Sequence, residues 1–386
     1  MFFFVSLLFF LSPFPDIPMP SDLHLMRRAL ALAERGRGFV SPNPLVGCVL
    51  FKGGRVIAEG WHSIFGGLHA EADALQKAGP RAKGAAAYVT LEPCSHWGKT
   101  PPCADALIRA GVRRVFAAVQ DPNAHVGGQG IQKLRKAGIR VDTGLLEKEV
   151  RFQNRAFFKA QTTGLPYVVW KTAQTLDGKI ASRTGASRWI SNPESLVLAH
   201  RLRAEADAIL VGGNTIRTDD PLLTSHGLGV DPVKLVLSRS LDLSPKARIF
   251  KEGISCVLTG KNPPKARARS LESKGAKLLK VFVKFDGKEL KECLNYLKKI
   301  GLHHIVLEGG CETSAAFMKA GLIDEVYHVI ALHYLGGRDA KTPLEGRGWD
   351  RPGQGPSLAV AESYAVGDNV VIHGFFRGAK SAAWGI

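Results

Sequence analysis

The sequence predicts an α/β protein of two consecutive domains, each a central sheet with helices on its faces, and three observations lead there. A chain of 386 residues is long enough for two hydrophobic cores at roughly 150 residues per domain. Short β-rich runs alternate with amphipathic stretches in two series, one ending near Val141 and the other starting at Tyr167. Between them, Glu147 to Thr163 reads as a helical connector, punctuated by Gly164-Leu165-Pro166. The expected organisation is residues 1–18 as a non-native or disordered extension, 19–146 as the first domain, 147–165 as the connector and 166–378 as the second domain. Hydrophobic residues at 45% and charged residues at 22% are an ordinary globular balance, which excludes wholesale disorder and a multi-span membrane protein.

Each element follows from local pattern. In DLHLMRRALALAER, Asp22 to Arg35, apolar residues recur at helical spacing behind a Ser21/Asp22 cap. Val46–Phe51 and Arg55–Gly60 are β-rich, and the Lys52-Gly53-Gly54 between them supplies hairpin chemistry. A helix at 68–78, a strand at 86–91, a helix at 104–110, a strand at 114–119 and a last helix and strand ending near Val141 complete the first series. After the connector, strands are expected at 167–171, 208–212, 233–238, 255–259, 305–308 and 325–332, with a Lys-studded helix at 288–299.

The opening MFFFVSLLFFLSPFP has the apolarity of a signal-peptide core, yet it lacks a basic n-region and an A-x-A site and is too short to span a bilayer. Met19, just before the Ser21/Asp22 cap, is the expected start. Six cysteines spread over a long chain do not form a secreted disulfide framework, so a reducing, cytoplasmic setting is expected. The net charge of +18 points to anionic partners. Residues 231–300 hold 17 Lys and Arg against 7 Asp and Glu, without the interleaved aromatics of a base-stacking platform. That segment reads as a solvated face or an anion-steering one.

The first domain carries the sharpest chemical signal. His69 and Glu71 stand two residues apart at a helix start, and Cys94 and Cys103 flank a turn after the next strand. One imidazole and two thiolates leave the fourth position of a tetrahedral zinc ion open to water, the catalytic arrangement. A carboxylate beside it that is not a ligand, here Glu71, can take the proton of that water and hand it on. Nucleobase deaminases show His-x-Glu followed by Pro-Cys-x-x-Cys; here eight residues separate the cysteines rather than two. The structural alternative is a closed site with His96 as fourth ligand, which would leave Glu71 without a task.

Polar residues at the expected ligand edge of the sheet add to this. Asn43 lies in Ser41-Pro42-Asn43-Pro44, His62 follows the second strand, Lys99 lies between the cysteines, and Asp121-Pro122-Asn123 follows the strand at 114–119. Taken singly, each also reads as a turn or cap residue.

The run AYVTLEPCSHWGKTPPC, with SPNPLVGCV and HAE before it and QDPN after it, closely resembles the bifunctional riboflavin-biosynthesis deaminase–reductases over roughly Asp22 to Phe376. The resemblance implies an N-terminal cytidine-deaminase-like three-layer domain and a C-terminal dihydrofolate-reductase-like domain. It implies zinc on His69, Cys94 and Cys103, with Glu71 as proton shuttle. It also implies contacts from Asn43, His62, Lys99, Asp121 and Asn123 to a phosphorylated pyrimidine.

The second domain has no intact Gly-x-Gly-x-x-Gly at its start, but glycine turns follow its strands at Gly212-Gly213 and Gly309-Gly310. Such turns let backbone amides approach a pyrophosphate, and they also occur as plain tight turns. By the same resemblance NADPH would contact Ala173, Trp189, Thr215, Asp219, Gly309 and Gly310, while Lys171, Ser187, Arg203, Leu223 and Glu308 would face the sugar phosphate. Without the family, Trp189 reads equally as a core aromatic and Arg203 as a solvated helix charge. Two departures are Thr175, where the family often has Ser, and His226, where an Arg commonly meets substrate phosphate.

The implied activity is zinc-dependent deamination of a diaminopyrimidinone ribosyl phosphate, then NADPH-dependent reduction of the ribosyl group to ribityl. The expected molecule is a homo-oligomer without nucleic-acid or membrane partners. Two competing readings are a nucleic-acid-editing deaminase, which the charge favours, and a non-catalytic zinc-binding partner protein.

Overall fold

In the computed structural model the described residues are 20–97, 101–123, 127–281 and 286–376. Lys99 and the extension at 1–18 lie outside them. The first domain holds α1 (Asp22–Glu34), β1 (Gly47–Lys52), β2 (Arg55–Trp61), α2 (Ala70–Ala78), β3 (Ala86–Leu91), α3 (Cys103–Arg109), β4 (Arg114–Val119), α4 (Gln129–Lys136) and β5 (Arg140–Thr143). Ser21 caps α1 by accepting from the His24 N–H at 3.2 Å. Gly53 and Gly54 both have positive φ, which the two-residue turn between β1 and β2 requires.

The sheet order is β2-β1-β3-β4-β5, with β1 antiparallel to β2 and β3, and β3, β4 and β5 parallel. Side chains alternate across it: Ala87 and Val89 pack with Ala70 and Ala74 of α2, Leu107 of α3 and Leu134 of α4, while Tyr88 and Phe116 face Leu25, Met26 and Ala29 of α1. Three layers result, as expected. The connector is two helices, α5 (Glu147–Gln153) and α6 (Arg155–Thr163).

The second domain follows as β6 (Tyr167–Thr175), α7 (Pro193–Glu205), β7 (Ala208–Gly212), α8 (Gly213–Asp219), β8 (Val233–Leu237), β9 (Ser255–Leu258), α9 (Lys265–Glu272), β10 (Lys277–Leu279), α10 (Gly287–Lys299), β11 (His304–Glu308), α11 (Cys311–Lys319), β12 (Glu325–Ala331), β13 (Leu358–Val366) and β14 (Asn369–Phe376). These strands form a nine-stranded sheet in the order β10-β9-β8-β7-β11-β6-β12-β14-β13. The first seven in that order run parallel, so Gly212, Leu237 and Glu308 end at one edge. One face is covered by α10 and α11 through Leu290, Leu294, Leu297 and Phe317. The other is covered by Leu202 of α7, Ile216 of α8 and Leu271 of α9. No described helix is long and apolar enough to cross a membrane.

Candidate functional site

The zinc-type residues sit where strands hand over to helices. His69 is the N-cap of α2, placing Glu71 in its first turn, and Cys103 is the first residue of α3. His69 Nδ1 lies 3.6 Å from Cys94 Sγ and 3.4 Å from Cys103 Sγ, and the three donor atoms lie within 4.8 Å of one another. Zn–S of about 2.3 Å and Zn–N of about 2.0 Å at a tetrahedral angle put S and N about 3.5 Å apart, so this donor set fits zinc. His96 is not part of the cluster, and neither is Glu71.

Electrostatics separate the roles. The Cys103 side chain and its N–H, together with His69, hold the Cys94 thiol down at about 4, and Cys94 in turn pushes Cys103 up. Without a metal the pair thus shares one negative charge, whereas a divalent cation takes both as thiolates. Glu71 is 3% exposed, and burial together with the Cys94 charge pushes its carboxyl up to about 7. A bound cation pulls that value down again.

His62 is buried, its ring edge-on to that of His69 at 5.4 Å. Burial holds its pKa below the usual value, Nδ1 donates to the Leu68 carbonyl at 2.8 Å, and Nε2 accepts from Asn43 Nδ2 at 3.1 Å. The imidazole therefore orients the Asn43 amide. Asp121 Oδ1 accepts from the Asn123 N–H at 2.8 Å, beside the zinc turn. Sequence reasoning missed two residues here. Glu92, 5% exposed, accepts from the backbone N–H groups of Asp121, Gly128 and Ile131 at 3.1, 2.7 and 3.1 Å, tying Asp121, Gly128 and the start of α4 to the zinc turn. Gly130 lies so close to the Pro93 carbonyl that a Cβ there would be 1.8 Å from its oxygen. The signal for Glu92 was a lone acid before Pro-Cys; Gly130 left none.

In the second domain, register pairs Glu308 of β11 with Lys171 of β6. Arg203 grips Glu308 bidentately at 2.9 and 2.7 Å and donates to the Thr224 carbonyl at 3.2 Å. Both side chains of that pair are nearly buried, so Arg203 is no solvated helix charge. Burial pulls the other way, but Arg203 holds the Glu308 carboxyl below its usual range, while burial and Arg203 lower the Lys171 pKa. His200 and His226 stack at 4.0 Å beside this cluster, and burial with the charges of His226 and Arg203 lowers His200 to about 4. His226 thus sits in the same cluster as Arg203. Leu223 is buried one residue before Thr224, whose carbonyl accepts from Arg203.

A cavity of about 450 Å³ opens at the C-terminal strand edge, between Gly212-Gly213 at the start of α8 and Gly310-Cys311 at the start of α11. Thr215 lies against Gly309 and Gly310, where a Cβ would be 3.4–3.5 Å from it. Arg217 of α8, Ser238 and Arg239 after β8, and Lys341 line the cavity and were not foreseen, because they come from distant parts of the chain. Ser187 donates to Asp219 Oδ1 at 3.2 Å, Ala173 lies on β6 two residues beyond Lys171, and Trp189 is 71% exposed, not a core aromatic. The Thr175 hydroxyl serves the turn after β6, donating to Asp177 at 2.6 Å and accepting from the Lys179 N–H at 2.9 Å.

Comparison with known proteins finds two family models along the chain. Residues 19–119 match the cytidine and deoxycytidylate deaminase zinc-binding region, and 166–372 match the RibD C-terminal domain. Riboflavin biosynthesis protein RibD of Aquifex aeolicus is 44% identical over 319 residues, 82% of this chain and 88% of its own length. The Escherichia coli protein of that name is 37% identical, covering 91% of this chain and 98% of its own. Among solved structures, Acinetobacter baumannii RibD aligns with a TM-score of 0.84 at 33% identity, over 92% of this chain and 98% of that one. A diaminohydroxyphosphoribosylaminopyrimidine deaminase/5-amino-6-(5-phosphoribosylamino)uracil reductase from Thermotoga maritima aligns with a TM-score of 0.80 at 33% identity and the same coverage.

Proposed function

The chain belongs to the RibD family of riboflavin biosynthesis proteins, and from that premise we propose how its residues divide the work of a deaminase and a reductase. It is a bifunctional enzyme that uses zinc in its first domain and NADPH in its second. The division proposed is 19–146 for deamination, 147–165 as connector and 166–378 for reduction. The single observation that carries the deaminase assignment is the triangle of His69, Cys94 and Cys103 with the buried Glu71 beside it.

For the first reaction the substrate is a 2,5-diamino-6-ribosylamino-4(3H)-pyrimidinone 5′-phosphate. His69, Cys94 and Cys103 hold zinc, which when bound lowers the pKa of a water molecule and so supplies a nucleophile near neutral pH. Glu71 carries one proton of the attacking water to the ring nitrogen and then the remaining hydroxyl proton of the tetrahedral carbon to the leaving amine, so that N=C–NH2 and water become HN–C=O and ammonia. Asn43, oriented by His62, presents its remaining amide valences to the heterocycle, and Asp121 and Asn123 border the same opening. Lys99 is assigned to the phosphate by family resemblance.

For the second reaction NADPH supplies hydride to the ribosyl group. Gly212-Gly213 and Gly309-Gly310 let backbone N–H groups approach its phosphates, with Arg217, Arg239 and Lys341 as counter-charges and Ser238 as a donor. Ala173, Thr215, Asp219 and Trp189 flank that nucleotide. Lys171, Ser187 and the Arg203–Glu308 pair hold the sugar phosphate, with Leu223 behind them. The product is 5-amino-6-ribitylaminouracil 5′-phosphate. We place the enzyme in the cytoplasm as a homo-oligomer without nucleic-acid partners, supported by six free cysteines and the exposed Leu332, Tyr334 and Leu335.

The test is incubation of the zinc-loaded chain with the diaminopyrimidinone, with and without NADPH, followed by mass analysis. Ammonia release without NADPH and a two-hydrogen gain with it are expected. A zinc-loaded chain that releases no ammonia would overturn the reading.

A further inference from the structure

The loop that carries Asn43 is held from outside its own domain. At its far end Asn154, 3% exposed where α5 meets α6, brackets Leu45: the Leu45 N–H donates to Asn154 Oδ1 at 2.7 Å, and Asn154 Nδ2 donates to the Leu45 carbonyl at 3.0 Å. At the near end the Ser41 side chain neighbours the Asp207 carboxylate and offsets part of the rise that burial causes in its pKa; Asp207 lies between α7 and β7 of the second domain. The Asp207 carboxylate also accepts from the His303 and His304 N–H groups at 2.6 and 2.8 Å, so the second domain itself fixes its position.

Packing reinforces both ties. Gly38 has φ +81, and a Cβ there would meet the Ala204 carbonyl at 2.5 Å, which places the loop's approach directly on the end of α7. Arg37 reaches Glu205 at 3.9 Å, and His303 lies against the Pro42 carbonyl. Within its own domain the loop's side-chain tie is the 3.1 Å contact of Asn43 with His62. A backbone segment held at both ends by buried polar groups loses the freedom that a free loop keeps.

We propose that Asp207 and Asn154 are positioning residues for deamination: the reductase domain and the connector hold the Ser41–Leu45 loop so that Asn43 meets the pyrimidine. The deaminase binding site is thus completed by residues that take no part in its chemistry. This rests on Asn43 being a substrate contact, as proposed above. A misplacement of about 1 Å in such a contact costs on the order of a hundredfold.

The experiment uses the full zinc-loaded chain and compares Asn43→Ala, Ser41→Ala, Asp207→Ala and Asp207→Asn. For each, zinc content, deamination kcat and KM, and reduction kcat and KM with the deaminated intermediate are measured. Asp207→Ala and Ser41→Ala should raise the deamination KM about tenfold or more with zinc, deamination kcat and reduction unchanged. Asp207→Asn should recover most of the loss, since its carbonyl can accept from His303 and His304 while its amide donates to Ser41. If Asn43→Ala raises KM but Ser41→Ala and Asp207→Ala do not, the inference fails and the Asn43 assignment stands. If Asn43→Ala leaves KM unchanged, the assignment itself fails. A parallel fall of reduction in Asp207→Ala would make Asp207 a general fold residue; Ser41→Ala, which leaves the second domain intact, then decides.

Discussion

His69, Cys94 and Cys103 are drawn from neighbouring stretches of chain, 25 and 9 residues apart, whereas Arg203 and Glu308 come together across 105 residues. The zinc cluster depends on ligand chemistry, which allows few residue types and one geometry. The reductase cluster depends on charge balance: Lys171, Arg203 and His200 surround one carboxylate, with His226 stacked on His200, and strand register sets Lys171 beside Glu308 while α7 supplies Arg203 and His200. A site defined by bond lengths can be built from two turns, while a site defined by compensating charges needs a whole sheet to hold it.

The largest expected effect tests the first half of that contrast. Cys103→Ser removes one of three ligands, so the chain should lose zinc and ammonia release together while reducing the deaminated intermediate at the wild-type rate. Metal analysis beside both assays checks it, and a metal-loaded, active variant would break the comparison. Next in size, Glu71→Gln should keep zinc and lower the deamination kcat by about 10²–10⁴, because a positioned base is lost while the ligands stay.

The charge-balanced site should fail differently, through stability as well as rate. Arg203→Ala leaves Glu308 buried without its bidentate partner, a loss of about 3–5 kcal/mol read as a lower melting temperature, with reduction lost and zinc retained. The sign of the pH dependence follows. Glu308 has a folded pKa below its unfolded one, so the pair's contribution is full above about pH 4.3 and is lost as pH falls through the folded value. Thermal melts on acidification should show that loss in the wild type and not in Arg203→Ala. The smallest effect concerns the nucleotide cleft: Gly310→Ala puts a Cβ 3.2 Å from Thr313 Oγ1 at φ +79. A strain of about 1–2 kcal/mol should raise the NADPH KM roughly five- to thirtyfold and leave deamination alone.

The same contrast decided what was legible beforehand. The strands Ala86–Leu91, Arg114–Val119 and Ala208–Gly212 have the limits their apolar runs suggest, because each is buried on both faces and bounded by turn residues. His69, Glu71, Cys94 and Cys103 could be grouped because their residue types name the chemistry. The hairpin of β13 and β14 was not read although both runs are apolar, because its place beside β12 is set by pairing across the sheet. Glu325, fully buried on β12, has its charge met by Arg155 and His373, which no window around residue 325 contains. Arg217, Arg239 and Lys341 escaped for the same reason, as single cations on a helix and two loops far apart in the chain.

Gly130 has a consequence for how the deaminase would be lost. The first turn of α4 and the Pro93 carbonyl touch backbone to backbone, with room for a hydrogen and none for a methyl group. One added carbon at residue 130 pushes on the peptide that leads into Cys94, with every ligand and Glu71 still in place. A strain carrying that change would need riboflavin although its ligand set read as intact, and screening the metal-binding residues alone would pass it as healthy.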